Sequence, residues 1–86
     1  MTSKNVQIQL ENGLEARPVA LLVQEASKYD SVIYIQSGEK KVNAKSIMGM
    51  MSLGLDNGEE LMVTADGADE QDAVSGLERF LSGQAS

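Results

Sequence analysis

"VQIQLENGLEARPVALLVQEA", residues 6 to 26, changes its hydrophobic period halfway along. In the first five residues Val6, Ile8 and Leu10 alternate with Gln7 and Gln9, the period-two pattern of a strand with one buried face. "ENG" then breaks the run. From Pro18 onward Val19, Leu22, Val23 and Ala26 recur at helical spacing. Proline suits the first turn of a helix, where its missing N–H has no partner to lose. The pattern predicts a strand over 6–10 and a helix over about 17–28. A one-faced helix leaving a half-buried strand must fold back onto a sheet to bury its stripe.

The same reading extends to the C-terminus. "VIYIQ", 32 to 36, is β-branched and aromatic, a second strand. "SGEK" turns it into a short strand at "KKVN", 40 to 43, giving a hairpin. Ser46 is placed to cap a helix of about two turns that Gly54 ends. "DNG" at 56–58 is turn chemistry, and "ELMVTA" at 60–65 puts Leu61, Val63 and Ala65 on one strand face. Asp69 reads as the cap of a last helix, with Asp72 three residues on in a loose capping box. Ala73, Val74, Leu77, Phe80 and Leu81 form that helix's apolar stripe. The order is β-α-β-β-α-β-α. Helices with one apolar face each call for one antiparallel sheet with all of them on a single side.

Eighty-six residues, 42% of them apolar, suffice for a single domain with one core, residues 1–86. The net charge of −6 disfavours direct contact with nucleic acid or an anionic membrane, since phosphate contacts need clustered Lys and Arg. Lys40, Lys41 and Lys45 lie close in sequence and predict a small basic patch in an otherwise acidic protein. With no cysteine and no histidine, the chain lacks disulfides, thiolate chemistry and the commonest metal ligand and general base. No apolar run nears the ~18 residues of a membrane span, and the N-terminus has no signal-peptide pattern. The expectation is a cytoplasmic protein that is not an enzyme and holds no metal or cofactor. The acidic pairs Glu59–Glu60 and Asp69–Glu70 read as solvated faces, and no phosphate-binding loop or calcium-loop pattern is present in the sequence.

Two stretches carry chemistry. At "EARP", 15 to 18, a helix start favours an anion, and Arg17 offers a forked donor for phosphate or carboxylate. Glu15 already supplies a carboxylate there. At "KSIMGMMSL", 45 to 53, Ile47, Met48, Met50, Met51 and Leu53 crowd a helix too short to bury every side. Some of these methionines belong to the core. The rest face water, and exposed methionines make adaptable binding surfaces. A phosphate on Ser46 would stand beside Lys45 in sequence.

"NGLEARPVALLVQEASKY" followed by "KKVNAKSIMGMMSLGL" resembles HPr, the small phosphocarrier family of the bacterial sugar phosphotransferase system. The likeness runs over about residues 3–82, and the Ser46 segment has the form seen in low-GC Gram-positive bacteria. It implies an α+β open-faced sandwich, a four-stranded antiparallel sheet of order 1-4-2-3 with three helices on one face. It also implies a phosphorylated histidine between "GL" and "ARP", assisted by the arginine matching Arg17. Here that position is Glu15, so phosphate transfer through histidine is chemically closed to this chain. The Crh branch of the family likewise lacks the histidine and keeps the serine, although it carries Gln where this chain has Glu15. That branch implies phosphorylation of Ser46 by HPr kinase/phosphorylase. The phosphorylated protein then acts as corepressor of catabolite control protein A, reading through Arg17, Ser46, Ile47, Met48 and Met51. The alternative is a phosphocarrier whose histidine was exchanged for Glu15, by engineering or degeneration, acting on phosphotransferase or metabolic partners through its surface. Either form is expected as a monomer or, by exchange of its first edge strand, a strand-swapped homodimer.

Overall fold

The computed structural model describes residues 1–10, 16–54 and 57–83, and carries β1 (Thr2–Gln7), α1 (Ala16–Ala26), β2 (Val32–Ser37), β3 (Lys40–Asn43), α2 (Ile47–Met51), β4 (Glu60–Asp66) and α3 (Glu70–Leu81). The strands form one antiparallel sheet of order β1-β4-β2-β3. Its register puts Val6 opposite Leu61, Ile35 opposite Val63 and Ile33 opposite Ala65, all buried. The alternate residues, among them Asn5, Met62 and Tyr34, face water. The helices therefore cover one face only, and the sheet order is the one the family resemblance implies.

The core lies between that covered face and the helices. Val19, Leu22, Val23 and Ala26 of α1 are buried, as are Ala73, Val74, Leu77 and Leu81 of α3. These are the residues that the helical spacing selects, except that Phe80 is only half-buried at the core margin. Helix α1 stops at Ala26, short of 28, because Lys28 N and Tyr29 N bond to Glu25 O and Ala26 O in a tighter three-residue turn. Gly38, at φ 60°, makes the two-residue β2–β3 turn with Glu39.

Three expectations are corrected. The first strand begins at Thr2 and ends at Gln7, four residues earlier than the alternating pattern starts. "TSKN" pairs because it lies at a sheet edge, where polar side chains are solvated. Lys4, on the helix side opposite Val63, reaches past that edge to Glu78 at 2.7 Å. Beyond Gln7 the backbone still bonds outward, Ile8 N to Glu59 O at 2.9 Å and Gln9 N to Leu81 O at 2.7 Å. Asp69 occupies the cap position of α3 but makes no side-chain cap bond. Its carboxylate accepts instead from Asp30 N at 2.9 Å, Ser31 N at 3.0 Å and the Ser31 hydroxyl. The α2 helix has five residues rather than two full turns. No helix among the described residues is long and apolar enough to cross a membrane.

Candidate partner-binding site around Ser46

Asn43 ends β3 and starts the turn that places Ser46. Its Oδ1 accepts from Lys45 N at 2.8 Å and its carbonyl accepts from Ser46 N at 3.0 Å. Ser46 then has an extended backbone, φ −110° and ψ 116°, and its Oγ accepts from Gly49 N at 3.1 Å. That bond satisfies a donor which the helix itself leaves unpaired. Ser46 is half-buried, and its Oγ lies at the helix start. A Cβ at Gly49 would lie 3.4 Å from both Ser46 Oγ and Val42 Cβ, in ordinary contact with each.

The far end of α2 is held as firmly. Ser52 N bonds back to Met48 O and Gly49 O, and Ser52 Oγ donates to Gly49 O at 2.6 Å. Lys40 Nζ donates to Ser52 O at 2.6 Å, and Gly54, at φ 58°, takes the left-handed step that follows the helix. Between these ends the side chains divide. Met50 is fully buried, whereas Met48 is 86% exposed, and Ile47 and Met51 are each 48% exposed. The mixed fate expected of the methionines is what the helix shows. One methionine anchors α2 to the core, and three apolar side chains of the helix that Ser46 caps stand in water.

Helix α1 packs beside α2. Arg17 is exposed in its first turn, and Leu21, one turn further, is 46% exposed. Leu21 has no place in the sequence reading, because it lies off the stripe of Val19, Leu22, Val23 and Ala26 and a single exposed leucine carries no signal of its own. Glu15 lies outside the described residues. The expected basic patch does not form as one. Lys40 goes to the end of α2, Lys41 lies 4.7 Å from the Tyr34 ring centre on the open sheet face, and Lys45 Nζ donates to Tyr29 O at 2.7 Å. Lys45 thus ties the turn before α2 to the turn that follows α1. Among the described residues no group of acidic side chains is placed to hold a metal ion.

A family model for the PTS HPr component phosphorylation site matches residues 2–83. The HPr-like protein Crh of Halalkalibacterium halodurans is 48% identical over 81 residues, 94% of this chain and 96% of that protein. The crystal structure of HPr-C-His from Thermoanaerobacter tengcongensis superposes with a TM-score of 0.92 at 44% identity, covering 98% of this chain and 94% of that one. Selenomethionyl Crh from Bacillus subtilis, a catabolite-repression protein crystallised as a swapped, intertwined dimer, gives 0.81 at 43% identity over 100% and 99% of the two chains. In sequence over nearly its whole length and in sheet order, the chain belongs to the HPr family.

Proposed function

We propose that this protein is a regulatory member of the family, acting in carbon catabolite repression and carrying no phosphate on histidine. One observation carries the reading. The chain has no histidine at all, with Glu15 at the carrier position, yet it retains Ser46 at the start of a helix that exposes Ile47, Met48 and Met51. HPr kinase/phosphorylase would transfer the terminal phosphoryl group of ATP to Ser46 Oγ. The product gains a charge of about −2 beside three apolar side chains. A partner with a basic pocket next to apolar ones reads that combination, and catabolite control protein A is the partner that the relationship to Crh supports. Arg17, on the neighbouring helix, pairs with a carboxylate of the partner. Within this reading Glu15 keeps the protein out of the phosphotransfer chain.

The likeness to the swapped Crh dimer of Bacillus subtilis also supports a homodimer formed by exchange of β1. Incubation with HPr kinase and ATP, followed by mass spectrometry of the Ser46 peptide, tests the central step. Phosphate on Ser46 alone is the expected result. Ser46→Ala should lose kinase-dependent binding to the control protein, measured by calorimetry. Equal binding by the alanine variant would show that Ser46 is not the switch.

A further inference from the structure

Asn57–Gly58 stands in an exposed turn just before β4. Asparagine followed by glycine is the dipeptide most prone to cyclise on itself, because no side chain shields the glycine nitrogen. The reaction starts when the Gly58 amide gives up its proton. The nitrogen attacks Asn57 Cγ, a C–N bond forms, the bond from Cγ to the amide nitrogen breaks, and ammonia leaves with the proton. Water then opens the succinimide at one of its two carbonyls, giving aspartate or isoaspartate. Water is the sole co-reactant.

In the folded chain that proton is engaged. Gly58 N donates to Ile8 O at 2.8 Å, and Ile8 N donates to Glu59 O at 2.9 Å. Gln7 Nε2 holds Gly58 O at 3.1 Å. Each of these bonds ties the turn to the end of β1 or the residue after it. Gly58 itself sits at φ 93°, a left-handed value that favours glycine there. The other Asn-Gly pair, Asn12–Gly13, lies outside the described residues.

We propose that Asn57–Gly58 is a self-modification site gated by β1. The turn is chemically quiet while β1 is docked on β4 and deamidates once β1 leaves. The product acts back on the gate. Isoaspartate lengthens the main chain by one carbon between the two residues, and either product adds a negative charge ahead of Glu59 and Glu60. In the isoaspartate form Gly58 N no longer meets Ile8 O in register, and β1 docks less firmly on the strand it left.

The test follows the peptide containing Asn57 by mass spectrometry during incubation of the intact protein in mildly alkaline buffer. Labelling by isoaspartyl methyltransferase identifies the isoaspartate product. The half-life of Asn57 in the folded protein should exceed that in urea by about tenfold or more, because local opening limits the reaction. Gln7→Ala removes the clamp on Gly58 O, and Val6→Ala opens a hole beneath β1. Both should shorten the half-life several-fold while amide exchange at Ile35 and Val63 stays slow. Equal half-lives in the folded and urea-unfolded protein overturn the proposal. So does an unchanged half-life in the variants. If Val6→Ala loses protection in the central strands as well, Gln7→Ala alone decides.

Discussion

Asp69 and Glu70 are neighbours that fasten different parts of the sheet to the start of α3. The Ser31 hydroxyl, and then the Asp30 amide, hold the Asp69 carboxyl below the usual carboxylate range. Glu70 is lowered from 4.5 to about 2, first by the hydrogen bond from the Met1 ammonium and then by those from the Thr2 hydroxyl and Gly67 N. Each group has a folded-state value below its unfolded one, so its stabilisation is complete above the unfolded value and is lost as pH falls through the folded value. For Glu70 the window runs from 4.5 down to about 2. Urea midpoints should therefore be level from the top of that window to neutral pH and fall within it, and they should fall again in alkali as the Met1 ammonium, raised from 8.0 chiefly by its bond to Glu70, loses its proton. Glu70→Gln should lower the midpoint at neutral pH and flatten the acid fall. A variant that keeps the parent's acid profile would show that these bonds contribute nothing. The Asp69 contact also marks a limit of the sequence. An aspartate before an apolar helical stripe reads as a cap, since the local pattern names no other partner. Its actual partner, Ser31, is 38 positions away, and only the folded chain brings the two together.

On the scale of elements, α2 divides its five residues between core and surface. Met50 is fully buried and Met48 is 86% exposed. Truncating a buried methionine removes its burial and leaves a hole, so Met50→Ala should cost about 2–5 kcal/mol in urea denaturation. Met48→Ala should change stability by less than about 0.5 kcal/mol. The ranking should reverse in binding. If Met48 is an apolar anchor for the partner, its loss should weaken binding of the phosphorylated protein by about 1–2 kcal/mol, read by calorimetry. An unaltered affinity would remove Met48 from the surface. The sequence shows that a short helix rich in methionine must divide its side chains, but not which one goes inward. That choice depends on how β3 and the Asn43 turn aim the helix. The helices α1 and α3 were easier to read, because their long stripes repeat the same answer several times. For β1, Val6 marks the buried face, while polar "TSKN" gives no alternating signal for the first four of its six residues.

At the scale of the whole molecule, β1 pairs with β4 through six register pairs. Its other attachments are equally portable. Lys4 meets Glu78, Thr2 Oγ1 meets Glu70, and Val6 enters the common core. A β1 from a second copy can remake every one of them, so exchange costs association entropy rather than contacts. A strand tethered to its own sheet competes at an effective concentration of order millimolar. The monomer should therefore dominate at micromolar protein, with dimer growing as concentration approaches that range. Conversion should be slow, because the ladder and the core contact of Val6 must open first. Light scattering over a concentration series measures the equilibrium. Mixing isotopically labelled with unlabelled dimer, followed by native mass spectrometry, measures the rate. Mixed dimers should appear no faster than the β1 amides exchange with solvent, and Val6→Ala should speed both together. Mixed dimers that form within the mixing time while the β1 amides stay protected would mean that the copies meet through their surfaces. The strand-exchange model would then be wrong, because no exchange of β1 can outrun its own release from β4.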